Sequence, residues 1–127
     1  MTLRPVDAEG AARTYLGPLL GVPVSTRVPN PRNPPFVQIT RAGGQARNLV
    51  QSDVRLLVEC WDLTETGAFD LARLTYGHLW RIPPGYMADV LVMAIELSEP
   101  VNYPDPSTPG HHRYQFIATA TTSLERE

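Results

Sequence analysis

The residues that could do chemistry in this chain are few: three histidines, one cysteine, five serines and a scatter of carboxylates. His111-His112 beside Asp105 has the types needed for a metal site. Adjacent residues in an extended segment point to opposite sides, however, and no third or fourth ligand follows at helical or hairpin spacing. His78 falls on a predicted helix four residues before Ile82, a place for a packed or surface histidine rather than a general base. Ser25, Ser52, Ser98, Ser107 and Ser123 all lack the strand–turn–helix elbow that exposes a nucleophilic serine. Gly43-Gly44 is not followed by a helix carrying lysine, so it is no phosphate cradle. Glu96 and Asp105 are brought together by no periodicity. Cys60 has no thiol partner for a disulfide or metal, and its place on the apolar parity of a strand makes it a core residue. The expectation is a protein with no catalytic residue, no metal ligand and no cofactor.

What remains are side chains suited to contact. Arg41 and Arg47 flank Gly43-Gly44, which reads as the tip of a hairpin. Arg55, Leu57, Glu59 and Trp61 share the outward parity of one strand, whose outer face is therefore only partly polar. Tyr103 sits in a proline-rich loop, and Arg113 on the outward side of the last strand. Trp, Tyr and Arg on such surfaces are typical of interface centres. The candidate subunit or partner interface is thus Arg41, Gly43, Gly44, Arg47, Arg55, Trp61, Tyr103 and Arg113. For Trp61 the alternative is cover by a loop or by the second helix within one chain.

These side chains must be held by elements, and the stretch Asp53–Trp80 is the organising one. Val54, Leu56, Val58 and Cys60 lie on one parity, a half-buried strand. Ala68, Leu71, Ala72, Thr75, Leu79 and Ile82 then recur at helical spacing, with Asp62 or Thr64 to cap the start and Pro83-Pro84-Gly85 to stop it. An earlier helix over residues 7 to 20 is expected to end near Leu16, because Gly17-Pro18 interrupts it, with a short further turn to Gly21. Val24–Val28 is a possible short strand before the proline-dense segment 29–35. Phe36–Arg41 alternates as a strand, with the turn at Gly43-Gly44 giving a long hairpin that projects from the body. Ala88–Leu97 is apolar on both parities and reads as a central strand covered on both faces. The last strand runs from about His112 to Thr121 with Tyr114, Phe116, Ala118 and Ala120 inward, and the tail after it is expected to fray. Together these give an α+β fold: two helices on one side of a four- to five-stranded, mainly antiparallel or mixed sheet, in a single domain spanning 1–127.

Composition agrees with an ordinary globular chain, at 43% apolar and 19% charged residues. The net charge of −2 argues against a domain that lives by neutralising nucleic-acid phosphates. All eleven basic residues are arginine; that is either a preference for bidentate contacts or GC-rich coding bias. No apolar run approaches the ~20 residues that span a bilayer, and the amino end lacks an apolar signal core.

Several spaced elements carry a resemblance. Gly21–Val28 is followed by Pro34-Pro35-Phe36-Val37-Gln38-Ile39-Thr40-Arg41-Ala42-Gly43-Gly44, then by Arg55-Leu56-Leu57-Val58-Glu59-Cys60-Trp61 leading into a helix with Ala68 and Asp70-Leu71-Ala72. Glu99-Pro100, Pro104-Asp105 and Arg113-Tyr114-Gln115-Phe116 close the series. In this order, from about residue 7 to 122, the chain resembles the tail terminator proteins of long-tailed bacteriophages, especially those infecting actinobacteria. The resemblance implies a structural role with no catalytic residues. Such proteins form a ring, usually a hexamer, that caps the head-proximal end of the tail tube and stops its polymerisation. The ring offers a docking surface to head-completion proteins and lets double-stranded DNA pass through. Partners would be further copies of the chain, the tail tube protein and the connector proteins, with no membrane. The location implied is the virion tail, after assembly in the host cytoplasm. Other readings of the sequence are a head-closure or adaptor protein of the phage neck, and a small α+β enzyme or ligand-binding module whose site is gathered from distant residues.

Overall fold

The computed structural model describes residues 2–126. At its centre, strand β4 (Gln51–Asp62) pairs antiparallel with β8 (His112–Ser123) along the whole length of both, from Gln51↔Ser123 to Asp62↔His112. On the other side of β4 lies β3 (Phe36–Ala46), antiparallel, and beyond it the two-residue β2 (Val24–Ser25), parallel. On the far side of β8 come β6 (Val90–Leu97) and the short β5 (Gly85–Met87), while β7 (Val101–Asn102) takes up β8 where β6 leaves it. The sheet therefore has seven strands in the order β2-β3-β4-β8-β6-β5, with β7 off that path. That exceeds the four or five expected, because β5 and β7 are three- and two-residue pieces that leave no periodic trace; β2 falls within the short strand expected at Val24–Val28. A separate ribbon pairs β1 (Leu3–Arg4) with β9 (Glu125–Arg126), so the expected fraying of the tail is corrected: Glu125 and Arg126 are held by the amino end.

Both helices bury against one face of this sheet. The even residues of β4, Val54, Leu56, Val58 and Cys60, join Val37 and Ile39 of β3 and Phe116, Ala118 and Ala120 of β8 in a single core. Onto it α1 (Ala8–Leu20) sets Ala8, Ala11, Ala12, Leu16 and Leu20, and α2 (Glu65–Trp80) sets Ala68, Leu71, Ala72, Thr75 and Leu79. Small residues on both helices let them lie close to the strands. Thr64 caps α2 by accepting a hydrogen bond from the Gly67 amide at 2.9 Å, and Asp7 caps α1 through the Gly10 amide at 3.0 Å. Among the described residues no helix is long and apolar enough to cross a membrane.

Four local expectations are corrected. First, α1 runs unbroken through Pro18 to Gly21, which ends it in the left-handed conformation at φ 69°. Pro18 lies in the last turn and faces solvent with Thr14, so the carbonyl that loses its amide partner can bond water. Second, β3 does not turn at Gly43-Gly44. It continues to Ala46 through a one-residue bulge between Arg41 and Gly44, and the chain reverses at residues 47–50. There the Asn48 side-chain oxygen accepts from the Val50 and Gln51 amides, at 2.9 Å each. Both glycines have positive φ (96° and 137°), and a Cβ on Gly44 would collide with the Asp53 carbonyl oxygen; the glycines serve a bulge and a close approach. Third, the hairpin does not project, because β8 accompanies β4 to its end. Fourth, β6 is not covered on both faces: Met93, Ala94 and Glu96 are exposed, and only Val90 and Val92 are buried.

Glycine positions offer a paired test. Gly44→Ala is expected to lower the denaturant midpoint by the equivalent of about 1–3 kcal/mol, since it strains the bulge. Gly77→Ala, in α2 with open space around its Cα, is expected to raise stability by roughly 0.8–1 kcal/mol.

Candidate subunit interface

The odd residues of β4 face away from the helices, and among the described residues no helix or further strand lies across them, although loops cover one end. At the end of β4 next to α2, this outer face carries a compact cluster. Trp61 stacks on Phe36 with ring centroids 5.7 Å apart. Two guanidinium groups approach it, Arg32 at 5.1 Å and Arg113 at 4.9 Å from the ring centroid. Arg113 is the hub: it also lies 5.0 Å from the Tyr103 ring, donates Nε to the Tyr103 carbonyl at 2.8 Å, and donates Nη1 to Glu59 Oε2 at 3.1 Å. Asp105 holds Arg32 at 3.6 Å. Its carboxyl sits below the ordinary range chiefly because the Ser107 hydroxyl and amide both donate to it.

Register explains why these residues meet. Trp61 is opposite both Phe36 on β3 and Arg113 on β8, and Glu59 is two residues along on the same face. Arg32 comes from the proline-dense segment and Tyr103 and Asp105 from the 100–110 loop, both of which fold over this end of the sheet. Trp61 is consequently only 2% exposed. As a side chain presented to a partner it is corrected: the loops cover it within one chain, and what meets solvent is Tyr103, 54% exposed, and the outer sides of the arginines. Three polar atoms here, Arg32 Nη1, Trp61 Nε1 and His111 Nδ1, are buried without a hydrogen-bond partner.

The remaining candidates lie elsewhere. Arg41, Gly43, Gly44 and Arg47 follow the free edge of β3 toward the turn, and Arg55 stands exposed on the outer face between the two groups. Arg41 donates Nη1 to the Val6 carbonyl at 3.0 Å, and Arg47 pairs with Asp53 at 3.4 Å. Eight residues of β4 separate Asp53 from Trp61, about 26 Å of strand. The predicted residues therefore form two groups. Arg32, Phe36, Glu59 and Asp105 were not anticipated in the first of them. Phe36 and Glu59 were legible in principle, since strand parity places both with Trp61; Arg32 and Asp105 belong to loops, where no period fixes a position.

Burial pushes the Cys60 thiol up to about 12, partly offset by its contact with Thr75, so it stays protonated and inert at neutral pH. Among the described residues no group of three His, Cys, Asp or Glu side chains gathers to hold a metal. A cleft of about 490 Å³ beside the start of α1 has Asp7, Arg13, Asp89 and Glu125 on its walls. It is broad and open, with no hydrogen bond linking these groups. Compared with known proteins, the chain matches no family model and no curated sequence.

Trp61→Ala is expected to destabilise the folded chain itself, by roughly 3–5 kcal/mol, and so to lower the thermal midpoint of the monomer. Arg113→Met leaves Glu59 buried without its cation, a loss of about 3–5 kcal/mol; adding Glu59→Gln is expected to recover part of it in denaturant melts. The depressed Asp105 pKa makes the folded loop more stable above the ordinary carboxylate range, and that contribution is lost as pH falls through the lower folded value. Proteolysis within residues 104–110 should therefore accelerate on acidification, and Asp105→Asn should flatten that dependence.

Proposed function

We propose that this chain is a ring-forming assembly protein of the tail terminator type, a structural role with no reaction at its centre. The observation that carries this reading is the helix-free face of the sheet. Across β3, β4 and β8 it presents Thr40, Leu57, Gln115, Ile117, Thr119 and Thr121, each half-buried by its neighbours on the sheet and, among the described residues, covered by no helix or further strand. Its charges are nearly balanced: Glu59 and Arg113 neutralise each other, leaving Arg55 and Glu96 exposed.

A broad, nearly neutral, hydroxyl- and amide-lined wall suits the inside of a ring. Tight binding of duplex DNA requires many cations to displace counterions from phosphates, and such a wall offers few. DNA can slide past it. The helices, on the opposite face, would then lie on the outside of the ring. The resemblance of the sequence to tail terminators supplies the specific role: a ring, hexameric in that family, that caps the head-proximal end of the tail tube, halts its growth and receives head-completion proteins in the assembled virion. A head-closure or adaptor protein would use a similar ring, and the tube assay below separates them.

Added to polymerising tail tube protein, the purified chain is expected to bind one tube end and shorten the tubes in proportion to its concentration. In native mass measurements it should show multiples of the 14.1 kDa chain approaching six, either free or on tubes. Tubes of unchanged length, with a chain that stays monomeric beside them, would remove this function.

A further inference from the structure

Two edges of the main sheet are left without backbone partners along the same stretch. On β3, β2 pairs only with Val37 and Gln38; from Ile39 to Ala46 the outer side has no strand beside it. On β6, β5 pairs only with Val90, Leu91 and Val92; from Met93 to Leu97 its outer side is likewise free. Register carried across β4 and β8 puts the two free stretches level with each other. Arg41 is opposite Leu56, Leu56 opposite Ala118, and Ala118 opposite Leu97. Gln45 connects in the same way through Asp53 and Thr121 to Ala94.

Strand direction makes these edges complementary. The strands β3, β4, β8 and β6 alternate in direction, and their number is even, so β3 and β6 run opposite ways. A copy placed by rotation about an axis along the strands keeps its own directions. Its β3 would therefore meet this copy's β6 antiparallel, continuing the alternation without a break.

Charge bears on the two-fold alternatives. The β6 edge carries Glu96 on the helix-free face, and Glu99 follows it; both are exposed and neither forms an ion pair among the described residues. The β3 edge carries Arg41 on the helix side, opposite Leu56, where it bonds the Val6 carbonyl and no carboxylate. Two β3 edges related by a two-fold axis would set arginine near arginine, and two β6 edges glutamate near glutamate. Like charges across a strand pair are unfavourable, so the head-to-tail arrangement is favoured over either two-fold one. Such a heterologous contact closes into a ring when its rotation does.

We infer that a second copy of this chain adds its β3 edge, at Ile39–Ala46, to the β6 edge at Met93–Leu97, extending the sheet head to tail from copy to copy. The inference rests on the ring reading above and names the edges that make the ring. It leaves β2 out of the contact, because that strand is too short to carry it and covers only the start of β3.

The test uses Ala42→Cys with Glu96→Cys in one chain. Glu96 is opposite Thr119 and, through it, level with Arg55 and the β3 bulge that holds Ala42; both positions are exposed. Within one chain β3 and β6 are three strand spacings apart, about 14 Å, well beyond the reach of a disulfide. Mild oxidation of the concentrated double variant is expected to give a ladder of covalent oligomers, and neither single variant should. The buried Cys60 is absent from the products.

A dimer from Ala42→Cys alone would replace the head-to-tail contact with a two-fold one and overturn the inference. A native oligomer in which the cysteine pair gives no ladder would remove the edge pairing and leave the ring. A native protein that stays monomeric at high concentration, with no ladder, would remove both.

Discussion

The full-length pairing of β4 with β8 is the constraint on which the rest of the structure depends. Twelve consecutive residues of each strand are in register, so every side-chain direction on the two central strands is fixed together. A slip of one residue would send Val54, Leu56, Val58 and Cys60 to the outer face and bring Arg55 and Glu59 into the core. The helices can therefore occupy only one face, and the other is left to polar and half-buried residues. The same register brings Phe36, Trp61 and Arg113 to one level of the outer face.

Glu59 and Arg113 show how that arrangement handles charge. Both side chains are nearly buried, at 11% and 14% exposure, on a face that no helix covers. They are sheltered instead by Trp61, Tyr103 and the loops that bring Arg32 and Asp105 over the end of the sheet. Desolvating such a pair is costly, and the return lies in geometry more than in net stability. Arg113 bonds the Glu59 carboxylate and the Tyr103 carbonyl while stacking on two rings, so it fixes a proline-rich loop to a particular place on the sheet. A surface used for assembly needs its loops held in one position before binding, since ordering them afterwards would subtract from affinity.

The sequence was most legible where a period ran long enough to count. The alternation of Val54, Leu56, Val58 and Cys60, the inward set Phe116, Ala118 and Ala120, and the α2 stripe from Ala68 to Leu79 all occupy the faces their spacing assigns. Errors fell where one local signal supports two backbone solutions. Gly43-Gly44 is as good for a bulge as for a turn, and the close approach to Asp53 that decides between them involves a residue nine positions away. Pro18 ends a helix or sits in its last turn depending on whether Thr14 faces water. Val90–Leu97 is almost wholly apolar yet lies second from the sheet's edge, with Met93 and Ala94 exposed at a bulge. In the candidate interface, parity placed Trp61 on the correct face and still misjudged its exposure, because Arg32 reaches it from a segment with no period at all.

The bulges bear on how open edges can be kept from indiscriminate pairing. A long flat edge pairs with any other strand, and natural sheets interrupt such edges with bulges, charge and short neighbouring strands. Here β3 and β6 each carry a one-residue bulge, β2 and β5 shield opposite ends, and Arg41 and Glu96 place opposite charges on the two stretches left free. These devices do not seal the edges. They make pairing with a generic strand unfavourable while leaving backbone groups free along part of each edge. Selectivity of this kind needs no pocket and no motif. It arises because both edges belong to the same four alternating strands, so that under the inference drawn above the strand of matching direction is supplied by a second copy of the chain.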